Sequence, residues 1–155
     1  MNAAVTGFGY SIRPMSMPDV PTVSRIEERA YDFPWSENIF RDCLRAGYAG
    51  YVFENESVIF GYGMLSVAVG EAHLLNLCVD PDMQGAGYGN QMLDYLIERS
   101  LELGAKQMYL EVRLSNYAAQ HLYHRAGFNE VGLRRNYYRA AEGREHAMVF
   151  AKELV

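Results

Sequence analysis

The residues most suggestive of chemistry form a glycine-rich segment, positions 84–90, which follows a run of β-forming residues that ends at Val79. A helix-forming run comes next, so several backbone NH groups should converge with the partly positive N-terminus of a helix. Glycine lets a phosphate approach the main chain without meeting a Cβ atom, and it accommodates positive φ. The segment therefore predicts a cradle for a phosphate-bearing ligand, although a tight turn without a ligand has the same composition.

Two common phosphate-binding motifs do not fit the spacing of this segment. A P-loop requires Gly-Lys-Ser/Thr, whereas Gly89 is followed by Asn90 and Gln91. The dinucleotide motif GxGxxG would place its third glycine at position 90, which is asparagine. The pattern that remains is Q-x-x-G-x-G, formed by Gln84, Gly87 and Gly89.

A carboxylate lies on a predicted strand, residues 107–112, in which side chains alternate between two faces. The apolar side chains share one face, and Glu111 falls on the other face between Tyr109 and Arg113. The spacing favours a solvated carboxylate or a partner of Arg113. A general base that accepts a proton from a reacting group is the alternative.

Two polar residues fall on one stripe of the next predicted helix, which begins near Ser115. Asn116 and Tyr123 are seven residues apart, so they lie about 20° from each other around the helix axis, with the small Ala119 between them. A cleft could form along this stripe, while a core tyrosine near a helix end is the simpler interpretation of Tyr123. His121 and His124 could share a metal, but no third ligand is evident, and a solvated helix face explains them.

Eleven predicted elements position these residues, in the order β-α-α-β-β-β-α-β-α-β-β. The three strands before the glycine segment, residues 48–54, 58–69 and 72–79, predict an antiparallel meander. No repeat or linker interrupts the order. Residues 1–155 therefore predict a single α/β domain with a mixed, mostly antiparallel sheet flanked by helices.

Composition and charge exclude several classes of protein. The net charge of -5 argues against a nucleic-acid binder and suits a cationic partner, although it also serves solubility. Cys43 and Cys78 form no CxxC pair, so we expect a reducing compartment and neither a disulfide framework nor a metal site. Residues 1–9 lack the features of a secretory signal, and the longest apolar run, residues 58–69, is shorter than the roughly 20 residues that span a membrane.

Longer segments resemble the RimI family of the GNAT superfamily, whose acetyl-CoA loop has the pattern Q-x-x-G-x-G. The segments that carry the resemblance are AYDFPWSE (30–37), LEVR (110–113), SN (115–116), LY (122–123), GFN (127–129), RRNYY (134–138) and GRE (143–145). RimI enzymes use acetyl-CoA to acetylate the N-terminal alanine of ribosomal small-subunit protein eighteen. The resemblance therefore implies a cytoplasmic N-terminal acetyltransferase with a basic protein as its partner.

The resemblance also assigns roles to individual residues. Glu111 matches the family's general base, and Tyr123 matches the acid that protonates the thiolate of CoA. The positions that match the binding site for acetyl-CoA are Leu77, Cys78, Val79, Gly85, Ala86, Gly87, Tyr88, Gly89, Asn90 and Asn116. A backbone NH at the end of this strand is a natural donor to an oxyanion. Cys78 as a covalent nucleophile is the alternative, and a small core side chain is the simpler interpretation.

Aromatic residues predict the walls of a peptide site. Tyr137 and Tyr138 are neighbours on one predicted strand, so we expect at most one of them to line the site. Trp35, between the first two helices, would supply a second wall or would be buried as an anchor of the second helix.

The sequence departs from the family at several positions. Gly85 and Ala86 replace a bulky basic or amide pair, and Asn90 replaces a frequent arginine, so the phosphates would depend more on backbone NH groups. Arg139 and His146 replace a usual proline and a common aspartate, which bears on substrate preference. An acetyltransferase for lysine side chains or small amines, and a non-catalytic acetyl-CoA sensor, are the competing functions.

Overall fold

A computed structural model describes residues 4–5 and 9–155. Its strands are β1 (Ala4–Val5), β2 (Ser11–Pro14), β3 (Ala49–Asn55), β4 (Val58–Ala68), β5 (Glu71–Val79), β6 (Gln107–Arg113), β7 (Asn129–Arg139) and β8 (Arg144–Glu153). Its helices are α1 (Val20–Ala30), α2 (Glu37–Arg45), α3 (Tyr88–Glu102) and α4 (Tyr117–Arg125). The sequence expectation that residues 1–9 carry no secretory signal concerns a segment that lies outside the described residues, apart from 4–5 and 9.

One mixed sheet contains all eight of the strands in the described residues, in the spatial order β1-β2-β3-β4-β5-β6-β8-β7. Neighbouring strands are antiparallel except for β5 and β6, which are parallel and joined through α3. The predicted order of elements is confirmed, with the two-residue strand β1 as an addition. The predicted meander corresponds to β3, β4 and β5.

The sheet separates between its two parallel strands. β5 and β6 pair only from Glu71 to His73 and from Gln107 to Tyr109. Beyond these residues β5 continues to Val79 and β6 to Arg113 without further pairing between them. The register of β4 against β5 also shifts, so Leu75 is an extra residue that bends β5. The diverging strand ends leave a gap in the middle of the sheet.

Helices cover both faces of the sheet. On one face, the fully buried Leu93 and Leu96 of α3 pack in a cluster that includes Leu110. On the other face, the buried residues of α1 and α2, among them Phe40, pack against Tyr62. Within the described ranges, none of the helices is both long and apolar enough to cross a membrane.

Candidate active site

The gap between β5 and β6 forms a cleft of about 950 Å³. Its walls come from the two strands, the end of α1 and the segment that follows it, α4 and the β7–β8 hairpin. Seven of the predicted site residues line this cleft: Trp35, Leu77, Glu111, Asn116, Tyr123, Tyr137 and Tyr138. The structure therefore brings together the residues assigned to catalysis and to the peptide wall.

Glu111 lies on the face of β6 opposite its buried apolar residues, as the alternation predicts. Its carboxylate is not solvated, since only 4 % of the side chain is exposed. The proposed pairing with Arg113 is wrong, because Arg113 instead donates to Glu145 at 3.2 Å. The Oε2 atom lies 2.7 Å from Nε2 of His73, while the buried Oε1 atom has no hydrogen-bond partner among the described residues. A buried acceptor without a partner is costly and indicates a functional role.

Tyr123 combines the two interpretations that its position in the sequence allowed. Its ring packs against Phe128 and Phe150, with centroid distances of 5.6 and 6.2 Å, and the side chain also lines the cleft. Asn116 and Ala119 line the cleft beside it, which confirms the predicted stripe. Burial raises the pKa of the Tyr123 phenol, so the hydroxyl keeps its proton at neutral pH.

Asn116 begins α4 and has a structural role that the resemblance did not indicate. Its Oδ1 atom accepts a hydrogen bond of 3.1 Å from the backbone NH of Ala119, which caps the helix. The side-chain amide Nδ2 is then the atom that could contact a cofactor.

Tyr137 and Tyr138 both line the cleft, so the expectation that at most one of them does is wrong. Their rings meet edge to face with a centroid distance of 4.8 Å. Burial and then the negative charge of Glu111 raise the pKa of both phenols. The two rings therefore form one wall close to the carboxylate.

A bulge in β7 explains this arrangement, because strict alternation of side chains requires a regular strand. The register of β7 against β8 shifts between Arg134 and Tyr138. Asn136 has a positive φ of 52°, and its backbone NH donates to Nδ1 of His146 at 2.9 Å. Arg144 fixes the bulge by donating to the carbonyl of Asn136 at 2.7 Å. His146 and Arg144 thus shape the wall of Tyr137 and Tyr138 through hydrogen bonds to the backbone of the bulge.

Trp35 is both a cleft wall and an anchor. It lines the cleft, and its ring packs on Phe40 of α2 at 5.2 Å. Its backbone NH donates to Oε2 of Glu27 at 2.9 Å. Glu27, which is 2 % exposed, also accepts hydrogen bonds through Oε1 from the hydroxyl of Tyr62 and from Nδ2 of Asn76, at 2.7 and 2.9 Å.

Sequence reasoning did not identify Glu27, Tyr31 or His73. Glu27 is seven residues after Val20 on the buried stripe of α1, and this spacing was a usable signal. Tyr31 lines the cleft and donates its hydroxyl to the carbonyl of Leu77 at 3.1 Å. Neither Tyr31 nor His73 has a local signal, because each meets its partner across a long sequence separation.

The glycine segment lies beside the cleft rather than in it. Gly85 and Gly87 have left-handed backbones, with φ of 85° and 86°, and a Cβ atom at either position would meet nothing within 4 Å. Gly87 begins α3 without a side-chain cap, so the NH groups of the first helical turn are available to a ligand. A Cβ atom at Gly89 would lie 3.8 Å from Leu122 of α4, the helix whose Ala119 and Tyr123 line the cleft. The open space and the helix N-terminus fit a bound phosphate group.

The end of β5 is hydrogen-bonded to the start of the glycine segment. The carbonyl of Val79 accepts a hydrogen bond of 3.1 Å from Nε2 of Gln84, so the glutamine of the motif fixes the start of the loop. Cys78 is buried in the core with Tyr62, and burial raises the pKa of its thiol to about 11. A thiol that keeps its proton is a poor nucleophile, so the structure favours the core interpretation of Cys78.

The described residues contain no group of three His, Cys, Asp or Glu side chains that could hold a metal ion. His124 instead lies 3.2 Å from the carboxylate of Glu130, and both side chains are about half exposed.

Comparison with known proteins decides the family. The model of the acetyltransferase (GNAT) family matches residues 12–128, which is most of the chain. The chain belongs to the GNAT family. The RimI resemblance is confirmed as well: the chain is 38 % identical over 141 residues to the [ribosomal protein bS18]-alanine N-acetyltransferase of Escherichia coli K12, with 91 % of this chain and 95 % of that protein covered. The enzyme of the same name from Haemophilus influenzae is 36 % identical over 134 residues, with 86 % and 91 % covered.

Solved structures agree with this assignment of a GNAT fold. The crystal structure of the Escherichia coli ribosomal-protein-S18-alanine N-acetyltransferase superposes with a TM-score of 0.87 at 37 % identity and covers 94 % of each chain. Ard1 from Thermoplasma volcanium has a TM-score of 0.85 at 22 % identity, with 95 % of this chain and 99 % of that chain covered, which shows the shared fold. In this GNAT domain the cleft of Glu111 and the glycine segment flank the separated end of β5.

Proposed function

We propose that residues 1–155 form one acetyltransferase domain that transfers the acetyl group of acetyl-CoA to the N-terminal amine of a protein. The proposed substrate is the N-terminal alanine of ribosomal protein bS18, the substrate in the names of relatives that match most of this chain. The observation that carries the proposal is the buried carboxylate of Glu111, whose Oε1 atom has no hydrogen-bond partner in a cleft that Tyr123 also lines. With a ribosomal substrate, the proposed location of the protein is the cytoplasm.

Glu111 and Tyr123 supply the two proton transfers that this reaction needs. An α-amine has a pKa near 7.7 to 8.0, so a carboxylate base is sufficient to remove its proton at neutral pH. As the amine nitrogen bonds to the acetyl carbon, its proton passes to Oε1 of Glu111. When the carbon–sulfur bond breaks, the Tyr123 hydroxyl gives its proton to the departing thiolate. A backbone NH of the segment Leu77 to Val79 would donate to the oxyanion that forms between these steps.

The separated end of β5 and the glycine segment are proposed to bind acetyl-CoA. Beyond His73, β5 has no pairing with β6, so its backbone groups on that side can hydrogen-bond to an extended ligand. The phosphates would lie on the backbone of residues 84–90 at the N-terminus of α3, since Gly85 and Ala86 offer no long side chain. Nδ2 of Asn116 would contact the same cofactor.

The peptide would enter between Trp35 on one side and the pair Tyr137 and Tyr138 on the other. Two arginines of the same cleft are already engaged: Arg113 donates to Glu145, and Arg144 donates to backbone carbonyls of the β7 bulge. Neither of them contacts Glu111, whose Oε1 atom lies 3.5 Å from Arg134 but accepts no hydrogen bond from the described residues and can face the incoming amine. A basic substrate also agrees with the net charge of -5.

The test is acetyl transfer from acetyl-CoA to a panel of short peptides that share one basic sequence and differ in the first residue. We expect the highest kcat/KM for alanine and a loss for bulky first residues, because aromatic side chains enclose the cleft. Glu111→Gln serves as the inactive reference. Acetylation of lysine side chains regardless of the first residue would contradict the substrate, and binding of acetyl-CoA without turnover would contradict the activity.

A further inference from the structure

His73 lies where the two parallel strands separate. It is the last residue of β5 that pairs with β6, opposite Tyr109. Its ring stacks on the ring of Tyr109 with a centroid distance of 4.4 Å and an angle of 19° between the planes. The stacking orients the imidazole, and Nε2 then lies 2.7 Å from Oε2 of Glu111.

This hydrogen bond makes the two oxygens of Glu111 different. Oε2 is engaged by His73, whereas Oε1 is buried and without a hydrogen bond. Arg134 approaches Oε1 only to 3.5 Å, and half of its side chain is exposed. The carboxylate can only accept hydrogen bonds, so Nε2 of His73 must carry the hydrogen that lies between them.

The remaining groups around this pair are phenols and one guanidinium. Tyr109 belongs to β6, and Tyr137, Tyr138 and Arg134 belong to β7. In the described contacts none of these groups donates a hydrogen bond to the carboxylate, whereas His73 does. The bond to His73 therefore fixes the orientation of a carboxylate that is almost fully buried.

We propose that His73 is a positioning residue for the base: its Nε2–H holds Oε2 of Glu111 and leaves Oε1 as the oxygen that takes the proton of the amine. The inference rests on the proposed function, in which Glu111 is the base. During the reaction the proton moves from the substrate nitrogen to Oε1, and the hydrogen on His73 stays in place. The neutral carboxyl group then returns its proton to water.

Two variants separate positioning from a purely structural role. His73→Gln keeps an NH donor at a similar distance from the backbone, and His73→Leu keeps the volume but removes the donor. His121→Leu is the control, because His121 is an exposed histidine on α4. Each protein is assayed for kcat and KM with an alanine-terminated peptide at neutral pH, and its Tm is recorded.

We expect His73→Leu to lower kcat by about tenfold, the effect of one hydrogen bond to a charged group, with KM for the peptide within about twofold. His73→Gln should retain kcat within about threefold of the wild type, and His121→Leu should match it.

Wild-type kcat in His73→Leu would overturn the inference while the proposed function stands. Equal losses in His73→Gln and His73→Leu, accompanied by a lower Tm, would show that His73 is only structural. If the wild-type enzyme acetylates no amine at any pH, the proposed function fails, and the positioning role fails with it.

Discussion

Glu27 and Trp35 are joined by a hydrogen bond of 2.9 Å from the backbone NH of Trp35 to Oε2 of Glu27. The bond ties the aromatic wall of the cleft to a buried position on α1. The same carboxylate holds Asn76, which follows the extra residue of β5. One side chain thus fixes both the loop after α1 and the bend that separates β5 from β6.

Replacing Glu27 should therefore destabilise the protein. Glu27→Leu removes the acceptor of three hydrogen bonds and leaves their donors buried, which costs about 3 kcal/mol or more and lowers Tm by roughly 10 °C. The matched control is Glu28→Leu, at the next, exposed position of the helix. Thermal unfolding followed by circular dichroism compares the two. Equal Tm values in both variants would refute the role of Glu27.

The base assignment predicts a specific defect in Glu111→Gln. The amide keeps the shape of the side chain but cannot take a proton, so kcat/KM should fall by about 10²-fold or more. Acetyl-CoA affinity, measured by calorimetric titration, should stay close to that of the wild type. Full turnover at neutral pH would remove Glu111 from the mechanism.

Tyr123→Phe tests the acid. The hydroxyl makes no hydrogen bond to the described residues, and the ring contacts with Phe128 and Phe150 survive the change, so Tm should move by no more than about 2 °C. Without the phenolic proton, kcat should fall by roughly 10²-fold. Tyr117→Phe, at a position that is 77 % exposed, should leave both values unchanged. A large fall in Tm with unaltered kcat would mean that Tyr123 serves only the core.

The role of the glycine segment in binding acetyl-CoA can be tested by comparing Gly87 with a glycine of similar backbone conformation outside the segment. Gly87 and Gly104 lie at opposite ends of α3, both have positive φ, and a Cβ atom at either meets nothing within 4 Å. Alanine at either position should cost about 1 kcal/mol of folding stability. Only Gly87→Ala should also weaken acetyl-CoA binding, by about tenfold or more, because its Cβ would meet the phosphates. Equal affinities in the two variants would contradict the cradle.

The sequence predicted those parts of the site that depend on regular elements. The face of Glu111 follows from the alternation of β6, and the stripe of Asn116 and Tyr123 follows from the period of α4. In both cases the local backbone is regular, so the spacing of residues in the sequence determines which way their side chains point.

Other parts depend on irregular backbone or on partners far along the chain. The bulge at Asn136 turns both Tyr137 and Tyr138 toward the cleft, and nothing in an alternating pattern signals it. His73 meets Glu111 only through the register of two parallel strands, which are separated by α3. The spacing of Glu27 on α1 signals its burial, but its role follows only from its three donors, which lie on other segments of the chain.

The most direct test of the account is a competition between two peptides of identical basic sequence. One has a free N-terminal alanine and no accessible lysine, and the other has a blocked N-terminus and one exposed lysine. The amine of lysine has a reference pKa of about 10.4, so a single carboxylate base at neutral pH deprotonates it less readily than an α-amine. The pKa values of the two amines differ by roughly 2.5 units, so at neutral pH the neutral α-amine is about 300 times as abundant as the neutral lysine amine. With both peptides and acetyl-CoA present, mass spectrometry should therefore show acetylation of the alanine peptide at a rate about 10²-fold higher. Preferential acetylation of the blocked peptide would contradict the assignment of an N-terminal substrate.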